Sequence, residues 1–178
     1  MIQQMVIAGS GGQGVMLLGK VLAQSAMLEA KQVTWFPAYG AEVRGGTSYC
    51  MVTIADREIG SPYVSQADIL IILNQPSLGK FKDLLKPGGL LIINSSLVRL
   101  KGCGKTRILE FPFSDIALKL GNIKVANMVA LGCLVAGENI VKSNNVIKVF
   151  KAMAPAGNPG ILEINRRALE EGMKLIHG

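Results

Sequence analysis

The sequence predicts an α/β fold: a doubly wound, mostly parallel sheet with a β-hairpin insertion and a helical C-terminal third. Three observations carry this. Short apolar runs alternate with segments of helical spacing over the first two thirds of the chain. The runs at 69–73 and 90–94 lack polar alternation, as expected of strands covered on both faces. A glycine turn, Gly9-Ser10-Gly11-Gly12-Gln13-Gly14, joins the first run to the first helix.

The elements follow in order. Met5-Val6-Ile7-Ala8 is the first strand. Apolar residues at Val15, Leu18, Val21, Leu22 and Leu28 mark a helix over 15–28. A second strand at 32–36 is closed by Pro37. A glycine-rich passage leads into a strand at 47–54, with a turn at Asp56-Arg57-Glu58 and a short return at Ile59, the expected hairpin. After Pro62 come the strand at 69–73 and a helix that starts at Asn74-Gln75-Pro76-Ser77 and ends near Lys86. Pro87-Gly88-Gly89 then turns the chain into the strand at 90–94. A last strand covers 107–111, and helices cover 114–120, 124–137, 143–153 and 161–176. No linker or repeat appears, so the expectation is a single domain over 1–178.

Composition narrows the function. The chain has 178 residues, 49% apolar, with a net charge of +7 and a mean hydropathy of +0.37. That hydropathy suits either a compact core or surface buried against other subunits. No window approaches the roughly 18 apolar residues of a membrane span, so no membrane association is expected. Met1-Ile2-Gln3-Gln4 runs straight into a core strand, so no leader is expected, and an odd cysteine count points to the cytoplasm. Cys50, Cys103 and Cys133 are far apart and predict buried free thiols rather than a cluster. With 5% aromatic residues there is little on which nucleic acid could stack.

The glycine turn has the strand–turn–helix context of a Rossmann-like dinucleotide site. Such a site needs an acidic residue at the end of the second strand. Thr34-Trp35-Phe36-Pro37 supplies none, and Glu29 lies on the wrong side of that strand. The only histidine, His177, is next to the C-terminus, so no nucleophile–histidine pair can be built. No metal-ligand spacing is present, and no catalytic residue is assigned. The turn itself (Gly9, Gly11, Gly12, Gln13, Gly14) offers backbone N–H groups to an anion. Arg44 could bind a phosphate or carboxylate bidentately; an ion pair with Glu42, or one across an interface, fits equally. Gln13 either bonds the loop backbone or faces a partner, and Asn127 reads as an N-cap.

Two passages together carry a resemblance: Gly9-Ser10-Gly11-Gly12-Gln13-Gly14 and Pro37-Ala38-Tyr39-Gly40-Ala41-Glu42-Val43-Arg44-Gly45-Gly46-Thr47-Ser48. Ile59-Gly60-Ser61-Pro62, Ala67-Asp68 and Asn127-Met128-Val129-Ala130-Leu131-Gly132 extend it over nearly the whole chain. The chain resembles the gamma subunit of 2-oxoacid:ferredoxin (acceptor) oxidoreductases. The resemblance implies a multi-subunit enzyme with alpha, beta and delta partners, passing electrons to ferredoxin. Thiamine diphosphate, magnesium, 4Fe–4S clusters and coenzyme A would belong to the complex, none held by this chain alone. It further implies that Gly9, Gly11, Gly12, Gln13, Gly14 and Arg44 face coenzyme A or another anion. Glu42, Arg44, Gly45 and Gly46 would face catalytic subunits. A stand-alone nucleotide- or coenzyme A-binding protein and a purely structural assembly subunit are the alternatives.

Overall fold

The computed structural model describes residues 1–38, 47–100, 106–154 and 159–177. Its strands are β1 (Ile2–Ser10), β2 (Gln32–Ala38), β3 (Thr47–Ala55), β4 (Ala67–Ile72), β5 (Leu85–Asn94) and β6 (Arg107–Phe111). They form one sheet in the order β2-β3-β1-β4-β5-β6. β1, β4, β5 and β6 run parallel, and β3 is antiparallel to both of its neighbours, β1 and β2. The mostly parallel sheet is therefore as the apolar runs predict.

Alternation along each strand divides the core. Met5, Ile7, Ile69, Ile71 and Ile92 point to one face. There they meet α1 (Val15–Met27), α3 (Phe113–Lys119), α4 (Ala126–Glu138), α5 (Ser143–Met153) and α6 (Pro159–His177). Val6, Ala8, Leu70, Ile72, Leu91 and Ile93 point to the other face, where Leu78 and Phe81 of α2 (Gln75–Phe81) pack on them. Covering both faces is what allows the central strands to be apolar throughout.

α4 has almost no polar face because it lies between the sheet and α6. The two helices touch backbone to backbone. A Cβ on Gly132 would collide with the Leu169 carbonyl, and one on Gly172 with the Val129 carbonyl. Glycine is used here for close approach rather than for its freedom in φ.

Three local expectations are corrected. Ile59 forms no return strand: residues 56–66 are a loop, and β3 finds both of its antiparallel partners in β1 and β2. The insertion is therefore the β2–β3 pair. Pro37 does not end β2, which continues to Ala38. β2 is an edge strand, where a residue without an N–H is tolerated. Pro87-Gly88-Gly89 lies inside β5 as a bulge rather than before it. Leu85 pairs with Ala67 and Leu90 with Ile69, with a register shift between, and Gly88 takes φ 77°.

Candidate functional site at the carboxyl ends of the strands

β1 ends at Ser10, and the chain then turns tightly enough for the Gln13 N–H to reach the Ser10 carbonyl at 3.2 Å. The turn needs left-handed backbone at Gly12 (φ 89°) and Gly14 (φ 71°), conformations that glycine adopts without strain. Gly14 occupies the N-cap position of α1, and no side chain caps it. Gly11 and Gly12 are exposed, whereas Gly9 is buried. A helix start without a side-chain cap thus lies behind an exposed turn, a geometry suited to an anion.

The turn is braced from below. Gln13 Oε1 accepts the Ser10 N–H at 2.6 Å, and its Nε2 donates to the Leu73 carbonyl at 3.1 Å. Both ends of the Gln13 amide are thus used, one on the loop backbone and one on the backbone just past β4. Asn127 differs from its expected role. It is the second residue of α4, not its cap, and its buried Nδ2 donates to the Gly14 carbonyl at 3.0 Å. A Cβ on Gly14 would strike that same amide.

Neighbouring strand ends extend this lattice. Asn74 caps α2 by accepting the Ser77 N–H at 3.1 Å and donates to Ser10 Oγ. Asn94 is fully buried at the end of β5. Its Nδ2 donates to Ser114 Oγ at 2.8 Å and to the Leu73 carbonyl at 3.4 Å, and its Oδ1 accepts the Ser114 N–H at 3.2 Å. From the sequence, Asn74 reads as a helix start and Asn94 as a strand end, neither as part of a site. A signal does exist, because Asn74 and Asn94 each terminate an unalternated apolar run.

α1 leaves β1 on one face of the sheet and α2 leaves β4 on the other, so the two connections diverge at this point. In open α/β sheets such a divergence opens a crevice where ligands bind. Here it continues into a cavity of about 290 Å³ lined by Gly12, Leu73, Leu97, Leu118, Ile123 and Ala126, with Asn94 and Ser114 among its polar groups.

Glu42, Arg44, Gly45 and Gly46 lie outside the described residues. The next residue, Thr47, pairs with Ser10 in the β1–β3 register, so the chain re-enters the sheet beside the glycine turn. The strand order also departs from the arrangement that a dinucleotide site uses. β3 is inserted between β1 and β2, which moves the end of β2 one further strand spacing, about 5 Å, from the turn. β2 in addition carries no carboxylate.

The buried thiols have no reactive character. Cys50 Sγ lies 3.5 Å from the Val15 carbonyl, and burial pushes its thiol up to about 12 against weaker opposing effects of Trp35 and Gly19. Cys133 is likewise pushed up to about 12 by burial. Thiolates are the reactive form, so neither is a nucleophile near neutral pH. Among the described residues, no group of three or more His, Cys, Asp or Glu side chains could hold a metal ion. Nor is any helix among them long and apolar enough to cross a membrane.

The family model described as pyruvate ferredoxin/flavodoxin oxidoreductase matches residues 4–175. The ketoisovalerate oxidoreductase subunit VorA of Methanothermobacter thermautotrophicus is 41% identical over 167 residues, covering 93% of this chain and 35% of the relative. The chain thus spans about a third of that relative's length. The 2-oxoglutarate synthase subunit KorC of Methanocaldococcus jannaschii is 33% identical over 179 residues, covering 98% of this chain and 94% of the relative. The gamma subunit of a keto/oxoacid ferredoxin oxidoreductase from Geobacter sulfurreducens superposes with a TM-score of 0.84 at 31% identity, covering 97% of each chain.

The fold and its braced turn define an α/β domain of the 2-oxoacid oxidoreductase gamma-subunit type. The chain belongs to the pyruvate ferredoxin/flavodoxin oxidoreductase family.

Proposed function

We propose that this chain is the gamma component of a thiamine diphosphate-dependent 2-oxoacid:ferredoxin oxidoreductase. It supports coenzyme A-dependent oxidative decarboxylation without itself holding the thiamine, the magnesium or the 4Fe–4S clusters. Its partners are alpha, beta and delta components, in separate chains or fused ones, and ferredoxin is reached through the complex. The observation that carries this reading is the glycine turn. Its conformation is already held by Gln13 and Asn127, while Gly11 and Gly12 are exposed beside the start of α1, which no side chain caps.

Coenzyme A supplies the acyl-accepting thiol when bound, and its phosphates suit this turn. The turn offers backbone donors at a helix N-terminus, and exposed Gly12 has no neighbour within 4 Å of where a Cβ would stand. The role of this chain is positional: it presents donors, excludes water and completes a wall of a composite site. Arg44 and Glu42 belong to that wall in this reading, with Gly45 and Gly46 beside the subunit interface.

Tandem purification with candidate alpha and beta components tests the assignment, with calorimetry on the isolated chain beside it. Stable co-purification with weak or no binding of NAD, FAD or coenzyme A by the chain alone is the expected pair of results. Saturation of the isolated chain by one of those cofactors, with no complex formed, would favour a stand-alone binding protein instead.

A further inference from the structure

Three strand ends meet at Leu73, the residue just past β4. Its N–H donates to the Ala8 carbonyl of β1 at 2.9 Å. On the other side the β4–β5 ladder has its last pair at Ile72 and Ile93, and the Ser95 N–H turns away to the Phe111 carbonyl at 2.9 Å. Two side-chain amides serve the Leu73 carbonyl instead. Gln13 Nε2 reaches it at 3.1 Å from the glycine turn, and Asn94 Nδ2 at 3.4 Å from the end of β5.

Neither amide is free to turn round, because each oxygen is held by a bond of its own. Gln13 Oε1 accepts the Ser10 N–H at 2.6 Å, and Asn94 Oδ1 accepts the Ser114 N–H at 3.2 Å. Each amide therefore presents its NH2 group to Leu73. A continuous path of hydrogen bonds results. It runs from Ser114 in the first turn of α3, through Asn94 and the Leu73 carbonyl, to Gln13 and Ser10. Asn94 is only 1% exposed, and the four residues before it in β5, Leu90 to Ile93, are buried and apolar. Burying a primary amide there is costly unless its bonds are made. Both of its donors are spent, on Ser114 Oγ and on Leu73.

We infer that Asn94 is a positioning residue for the ligand site at the glycine turn. It acts through another group rather than by contact: it fixes the Leu73 carbonyl, which in turn orients Gln13 and the turn. The inference rests on the gamma-component reading above, in which coenzyme A phosphates meet the turn, and adds a residue that sets how well the turn is ordered before binding. A site held in its binding geometry in advance avoids the ordering cost at association. Loss of Asn94 should therefore weaken coenzyme A binding and leave the chemistry, carried by other components, at its usual rate.

The KM for coenzyme A and the kcat of the complex assembled with candidate alpha and beta components test it. Asn94→Leu removes the amide. Asn94→Asp keeps the acceptor for the Ser114 N–H but sets a carboxylate against the Leu73 carbonyl. Each is expected to raise the KM for coenzyme A about fivefold, the effect of one hydrogen bond. The kcat should stay within about twofold and the KM for the 2-oxoacid should not move. Gln13→Ala should raise the same KM, and Gln13→Ala/Asn94→Leu should raise it no further, since both residues act through Leu73. Val149→Ala, buried in α5 and outside this path, should lower stability and keep the wild-type KM. An unmoved KM in both Asn94 variants overturns the inference, as do effects of Gln13 and Asn94 that multiply. So does failure of both Asn94 variants to assemble where Val149→Ala assembles, which would make Asn94 a fold residue only. In each of these cases a wild-type complex that depends on this chain leaves the gamma-component reading standing. Wild-type turnover indifferent to the chain overturns both.

Discussion

The Asn127 side chain donates to the Gly14 carbonyl at 3.0 Å across 113 residues of sequence, tying α4 to the first turn of α1. The Leu18 N–H reaches the same carbonyl at 2.9 Å. The amide therefore adds a second donor to an acceptor that is already used within the helix. Asn127→Ala should destabilise the fold by about 1–2 kcal/mol, the range for losing a buried hydrogen bond. Asn127→Asp should cost more, because it sets a carboxylate oxygen against a carbonyl. Denaturant unfolding of the two variants checks the order, and an aspartate as stable as the wild type would contradict it.

Gln13 makes a related prediction, separating bracing from contact. Gln13→Ala removes the acceptor for Ser10 and the donor to Leu73, so a loss of about 1 kcal/mol or more is expected in the isolated chain. A residue that only faced a partner would leave the isolated chain within about 0.5 kcal/mol of wild type. Gln13→Glu keeps the acceptor but opposes the Leu73 carbonyl, and it should not rescue the alanine variant. Thermal melts, with amide exchange at Ser10, report both effects.

The α4–α6 contact is expected to be the least forgiving place in the helical layer. Gly132→Ala and Gly172→Ala each drive a methyl group into a facing backbone carbonyl, and separating two packed helices costs about 1–3 kcal/mol or more. The two sites share one contact, so the double variant should fall short of the summed losses. Urea midpoints of the three variants measure this. Additive losses would mean that the helices give way independently at each glycine.

Buried thiols contribute to the loss of stability at alkaline pH. Cys50 and Cys133 are raised from an ordinary 9.0 to about 12 by burial. Above pH 9 the unfolded chain loses thiol protons that the folded chain keeps. Stability is then full below about 9 and falls as pH rises toward 12, by up to about 1.4 kcal/mol per pH unit for each thiol. A Cys50→Ala/Cys133→Ala variant should show a shallower alkaline loss than the wild type. In a Cys103→Ser background, neither thiol should react with a disulfide reagent until the chain unfolds. Parallel alkaline slopes would contradict this account.

Much of the fold was legible because the strongest signals are local. β6 and α5 begin and end at the predicted residues, since each has a clear period and turn residues at its ends. The misses come from information held elsewhere in the chain. Pro37 is compatible with a strand only if the strand lies at an edge, and edge position is a property of the whole sheet. Ile59 looked like a return strand because nothing nearby shows that β1 and β2 already occupy both sides of β3. At the site, the glycine turn announces itself through its spacing, but the partners that brace it do not. Asn127 and Asn94 are ordinary polar residues until the fold brings them to Gly14, Leu73 and Ser114.

The central claim is that this chain completes a site whose chemistry belongs to other components. Its most direct measurement is coenzyme A-dependent 2-oxoacid oxidation with ferredoxin as acceptor, compared between complexes assembled with and without this chain. The account predicts turnover only when the chain is present, and a loss of turnover with assembly retained in Arg44→Ala. Full turnover by the complex lacking this chain would contradict it.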